Sequence, residues 1–115
     1  MANQLAVDQR IKKILAHMAE RHSEPLTLNA IAYALGMSPS TAQRTLKTQG
    51  IKFRHALVEL RLDRAQELLR REPDIKAEVL SLSVGWKSRK SLYSAVRRLS
   101  GRRLAEWRAS VVDSA

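Results

Sequence analysis

Cysteine is absent from the 115 residues. A disulfide scaffold, a cysteine nucleophile and a thiolate metal site are therefore excluded. Aromatic residues reach only 4%, with two Trp, two Tyr and one Phe. That is too few for a surface that binds single-stranded nucleic acid by stacking. Glycine (4) and proline (3) are scarce, so each one is informative as a break between elements. No apolar run approaches the ~20 residues that a membrane-spanning helix needs. Residues 1–7 lack the basic-then-apolar order of a signal peptide. Acidic residues are the minority charge, 11 against 21 Lys and Arg, giving a net charge of +10. An excess of that sign on a small chain points to a polyanionic partner. The 44% hydrophobic content is enough for a core. A chain of this length makes one domain or two very small ones. The expected setting is the cytoplasm.

The charge is unevenly placed. Residues 85–108 hold Lys87, Arg89, Lys90, Arg97, Arg98, Arg102, Arg103 and Arg108 against a single acid, Glu106. Such a concentration favours a binding surface over a merely solvated face. Catalytic chemistry has no comparable signal. His17, His22 and His55 show neither metal-ligand spacing nor a carboxylate partner pattern. With no nucleophile–base set and no glycine-rich phosphate loop, the chain reads as a non-enzyme without metal or cofactor.

Most of the chain reads as helix. Ile11, Ile14, Leu15 and Met18 form one apolar stripe over 8–22. Asp8 is the expected start of that helix, and Ser23-Glu24-Pro25 its end. Thr27 suits an N-cap for a helix over 28–35, closed by Gly36. Ser38-Pro39 restarts a helix, with Ser as cap and Pro at its first position, running to about Gln49 before Gly50. The segment 53–71 repeats apolar residues at a 3.6 period without an internal Gly or Pro, and Glu72-Pro73-Asp74 breaks it. Asp74 is the expected cap of the next helix. Further helices are expected over 88–99 and 103–110, with Leu104, Trp107 and Val111 on the apolar side of the last. The exception is Leu80-Ser81-Leu82-Ser83-Val84, whose strict alternation is a strand signal.

An internal repeat decides that segment. Ile31-Ala32, Leu35-Gly36-Met37, Ala42, Leu46-Lys47 and Gly50 recur as Leu80-Ser81, Val84-Gly85-Trp86, Leu92, Val96-Arg97 and Gly101. The offset is 49 up to the internal Gly and 50 or 51 after it. Each unit reads as a short helix, a glycine turn and a longer helix, the helix-turn-helix pattern. The repeat therefore predicts a helix over 77–84. The expected architecture is all-α, with two helix-turn-helix units joined by a long linking helix, about seven helices in all. The expected organisation is an N-terminal helix and first unit over 1–50, the linking helix over 51–73, and the second unit with a C-terminal helix over 74–115. Together these make one compact DNA-binding domain.

These residues resemble the DNA-binding domain of the AraC/XylS family of bacterial transcription regulators, over roughly residues 8–108. Matching positions are Leu28, Ile31, Ala32, Leu35, Gly36, Met37, Ser38, Pro39, Arg44, Lys47 and Gly50 in the first unit. The linking helix matches at Phe53, Leu60, Arg61, Leu62, Ala65, Leu68 and Leu69. The second unit matches at Val84, Gly85, Trp86, Arg97, Gly101, Trp107 and Arg108. It departs at Arg103 and Leu104, where Thr-Pro is usual, and at Ser81 in place of a small Ala. The resemblance implies a short, single-domain member, or such a domain on its own, without the family's separate ligand-sensing domain. It also implies action on double-stranded DNA in the bacterial cytoplasm, at the nucleoid.

The expected function is a sequence-specific DNA-binding transcription regulator that places two recognition helices in adjacent major grooves. A linking helix of ~19 residues is ~28 Å long, close to the ~34 Å between successive major grooves on one face. The base-reading candidates are Ser40, Thr41, Gln43, Arg44, Arg89 and Lys90. Gln suits adenine, and Arg suits guanine. The phosphate-contact candidates are Ser38, Lys47, Lys87, Ser88, Tyr93, Arg97, Arg98 and Arg102. The alternative is a degenerate member that serves as a protein-interaction module, with RNA polymerase or another regulator as partner and only weak DNA contact. The packing expectations are that Trp86 and Trp107 lie in the core, that Tyr33 is half-buried, and that Arg61 and Arg64 pair with Asp63 or Glu67. No membrane partner is expected.

Overall fold

A computed structural model describes residues 2–113, with side chains from residue 6 onward. Among the described residues there are seven helices and no strand: α1 (Ala2–Glu20), α2 (Leu28–Ala34), α3 (Pro39–Thr48), α4 (Phe53–Arg71), α5 (Ala77–Ser83), α6 (Arg89–Ser100) and α7 (Leu104–Asp113). They divide into two compact units, Met1–Leu57 and Val58–Ala115.

In the first unit, α1 packs on α2 and α3. Helix α1 starts six residues before Asp8, so Asp8 lies in a helical turn and is not a cap. The residues ahead of it include Ala2, Leu5 and Ala6, which are strong helix formers that need no break there. Its buried stripe runs through Ile14 and Met18 with Val7 and Ile11 half-buried, while Leu15 stays 40% exposed. Thr27 caps α2 by accepting from the Ala30 N–H at 3.1 Å. Ser38 caps α3 in the same way through the Thr41 N–H at 3.1 Å, with Pro39 beginning the helix. An N-cap hydroxyl of this kind stabilises by ~1 kcal/mol. Ile31, Ala32, Ala42 and Leu46 are buried at the angle between α2 and α3.

The second unit packs α5 on α6 and α6 on α7. Its core gathers Leu62, Ala65 and Leu69 of α4 with Leu80, Val84, Leu92, Val96, Trp107 and Val111, and Trp86 packs half-buried against it. Both Trp positions therefore serve packing. Asp74 does not cap α5. Lys76 occupies that position without a side-chain bond, and the chain enters the helix through Ile75, which is 9% exposed and whose N–H donates to the Glu72 carbonyl. Burying Ile75 fixes the entry that a capping carboxylate would otherwise set. Helix α7 continues three residues beyond 110, because Val111 and Val112 extend its apolar side onto the core.

The strand-like alternation at 80–84 folds as α5. Leu80 and Val84 are a helical i, i+4 pair, 0% and 2% exposed, while Leu82 faces outward at 52%. The turns of the two units repeat atom for atom. Met37 N–H donates to Ala32 O at 2.9 Å and Gly36 N–H to Tyr33 O at 3.1 Å. Trp86 N–H donates to Ser81 O at 3.1 Å and Gly85 N–H to Leu82 O at 3.2 Å. Gly36 and Gly85 have φ of 73° and 105°, a region that side chains with a Cβ disfavour.

Candidate nucleic-acid interface

Helix α3 is positioned by its buried side, Ala42, Thr45 and Leu46. The Thr45 hydroxyl is satisfied within the helix, donating to the Thr41 carbonyl at 2.7 Å. At 100° per residue, the opposite side presents Ser40, Gln43, Arg44 and Lys47 as one stripe, and all four are exposed. None of their side chains has a hydrogen-bond or ion-pair partner among the described residues. Thr41 does not join this stripe. It is half-buried, and its hydroxyl accepts from the Ser38 hydroxyl at 2.9 Å. Ser38 is exposed, but its Oγ is already engaged as the cap of α3.

Helix α6 is built on the same plan, with Leu92, Ala95 and Val96 buried. Its exposed stripe is Lys90, Tyr93, Ser94 and Arg97, fifty residues on from the α3 stripe. Ser40, Gln43, Arg44 and Lys47 of the first unit are thus matched by Lys90, Tyr93, Ser94 and Arg97 in the second. Arg89 and Arg98 are exposed on opposite flanks of this stripe, and Lys87 and Ser88 are exposed just ahead of α6. Ser88 makes no capping bond with its side chain. Arg102 follows Gly101 and lines a cleft of about 580 Å³ with Tyr93, Ser94, Arg97 and Arg103.

Several roles differ from the sequence reading. Tyr33 is 72% exposed instead of half-buried, because α2 is only seven residues long and its buried side is taken by Ile31 and Ala32. Arg64 pairs with Glu67, at 3.1 Å; Arg61 is 9% exposed, and burial lowers its pKa below the usual arginine value. Arg108, one of the concentrated basic residues, points into the fold. Its guanidinium donates to the carbonyls of Pro73, at 3.1 Å, and Ile75. Ser81, buried where the first unit has Ala32, donates its hydroxyl to the Ser88 carbonyl at 2.5 Å and ties α5 to the start of α6. The sequence reading does not count Lys52 and Arg103 among the contact candidates, although both are exposed cations beside the α3 and α6 stripes. The repeat, carried past Gly50 and Gly101, would have paired them.

Charge sharpens the contrast between the units. The first has eight basic and three acidic residues, the second thirteen and eight, so each carries +5. What differs is segregation. Six of the second unit's acids lie within residues 59–78, leaving residues 85–105 with seven basic residues and no acid. Among the described residues no cluster of three or more His, Asp or Glu side chains is arranged to hold a metal, and no helix is long and apolar enough to cross a membrane.

Two helices with exposed polar stripes, each held by a glycine turn against a short preceding helix, define a tandem helix-turn-helix protein. The model of the helix-turn-helix domain family matches residues 31–110, and that of the IclR helix-turn-helix domain matches residues 9–48. The chain belongs to the AraC-type helix-turn-helix family. Among solved structures it is similar to a transcriptional regulator of the AraC-type DNA-binding domain from Chromobacterium violaceum, at TM-score 0.83 and 25% identity over 96% of this chain and 99% of that one. It is also similar to a DNA-binding transcriptional dual regulator from Escherichia coli K-12, at TM-score 0.79 and 22% identity over 88% and 90%. The C-terminal domain of AraT, a response regulator from Geobacillus stearothermophilus, matches at TM-score 0.79 and 24% identity over 88% and 84%. No curated protein matches the chain.

Proposed function

We propose that this chain is a transcription regulator that binds double-stranded DNA, with a division of labour between its units. The first unit reads base edges through Ser40, Gln43 and Arg44 on α3. The second holds the backbone through Lys90, Tyr93, Arg97 and Arg102, with Lys87, Ser88, Arg89 and Arg98 around them. Phosphate contacts position a protein and base contacts specify the sequence. The observation that carries this reading is the α3 stripe, exposed and without side-chain partners among the described residues. Gln43 and Arg44 have the donor geometry for adenine and guanine in the major groove. The α6 stripe has the charge but no Gln or Asn. In this reading both helices enter successive major grooves of one duplex. Its site of action is the bacterial nucleoid, with RNA polymerase as its protein partner at promoters and no catalytic step of its own. The interaction-module alternative draws on the divergence of the second unit and on the strand-like run at 80–84; of these, the run is helix α5. Gel-shift competition tests the proposal: a specific duplex must resist competitor that removes non-specific binding. Equal loss to any duplex would refute base reading by α3.

A further inference from the structure

The repeat builds the same cleft twice. In the first unit a cleft of about 290 Å³ is lined by Gln43 and Lys47 of α3, Gly50, then Ile51, Lys52 and Phe53. In the second, Tyr93 and Arg97 of α6 stand where Gln43 and Lys47 stand. Arg102, Arg103 and Leu104 follow Gly101 as Ile51, Lys52 and Phe53 follow Gly50. The two glycines share a left-handed backbone, φ 68° and 73°, and the residue two further on lines the same cleft as the recognition helix. Each cleft therefore has a cation from the recognition helix on one wall, Lys47 or Arg97, and a cation from the following segment on the other, Lys52 or Arg103. No acidic residue lines either one.

We infer that Lys52 and Arg103 are a matched pair of DNA contacts, each closing its cleft on one backbone phosphate beside the groove that the recognition helix enters. This inference rests on the DNA-binding reading. Two walls of like charge around an open cleft match a single anion. The anion belongs to DNA because each cleft shares its first wall with the stripe that faces the duplex. The larger second cleft adds Arg102 and the Tyr93 ring, which fits a unit whose work is grip.

Salt titration of duplex binding tests it. Each neutralised phosphate contributes a slope of roughly −0.9 in log K against log salt. Lys52→Gln and Arg103→Gln, both at exposed positions that leave the thermal midpoint unchanged, should each make the slope shallower by about 1. The double variant should make it shallower by about 2. Lys12→Gln on the exposed side of α1 should leave the slope as it is, and all these variants should keep the ratio of specific to scrambled affinity. Slopes equal to wild type in a protein that still binds duplex would overturn the clamp alone. Loss of inorganic phosphate binding in the variants, with the DNA slope unchanged, would overturn it too, by assigning the clefts to a free anion. A wild-type chain that binds no duplex would overturn the DNA-binding reading itself, and the clamp with it.

Discussion

Replacing Arg44 with Ala isolates base reading from every other contribution. The Arg44 side chain is exposed and has no partner among the described residues; its carbonyl accepts from the Thr48 hydroxyl at 2.8 Å. Truncation therefore breaks nothing in the fold. An exposed helical Arg→Ala change, into the best helix former, should leave unfolding stability within about 0.5 kcal/mol. What the proposed role of Arg44 predicts to be lost is a contact to DNA. A good bidentate Arg–guanine pair gives ~1–3 kcal/mol of discrimination, which is roughly a 5- to 150-fold loss at ~1.4 kcal/mol per tenfold. The loss should fall on the specific site and largely spare a scrambled duplex, so the ratio of the two affinities collapses. Fluorescence anisotropy on both duplexes at one fixed salt concentration measures that ratio. Arg97→Ala is the contrast: it should weaken both duplexes equally and make the salt slope shallower by about 1. A specific-to-scrambled ratio that survives Arg44→Ala unchanged would refute the assignment of α3 as the base-reading helix.

Three further outcomes follow from the packing. Ser81→Ala removes a buried hydroxyl donor to the Ser88 carbonyl and should cost about 1 kcal/mol in denaturant unfolding; a neutral result would contradict the role of that bond in joining α5 to α6. Arg108→Ala should cost about 1.5–3 kcal/mol, the range for a hydrogen bond to a charged group. Arg108→Lys should recover only part of it, because one ammonium does not reproduce the guanidinium fork that meets two carbonyls. Its DNA salt slope should stay at the wild-type value, unlike that of Arg97→Ala. Gly36→Ala meets open space but sits at φ +73°, so conformation alone should cost about 1–2 kcal/mol, read as a lower unfolding midpoint.

Helix ends marked by strong local chemistry were legible. Thr27, Ser38-Pro39 and Gly101 each announce a boundary, and the chain turns there. Asp8 and Asp74 misled because a capping residue is only permission to start a helix. Good helix formers before Asp8 carried the helix past it, and burial of Ile75 set the entry to α5. The run at 80–84 shows the same limit from another side. Five residues have too short a period to separate helix from strand, and only the 49-residue repeat carried the answer. At the interface, the repeat and the 3.6 period located the α3 and α6 stripes. They could not show that Thr41 and Ser38 spend their hydroxyls on the cap, or that Arg108 turns inward, since both depend on distances between side chain and backbone. Formal charge was the least reliable guide. It drew attention to residues 85–108 alone, whereas the two units are equal in net charge and differ in where their acids lie.

Selection of bound duplexes from a random pool tests the division of labour most directly. The account predicts one well-defined base pattern under α3, and about one helical turn away a segment contacted by α6 whose sequence is far less constrained. Two equally constrained patterns a turn apart would contradict it, by showing that the second unit reads bases as well as the first.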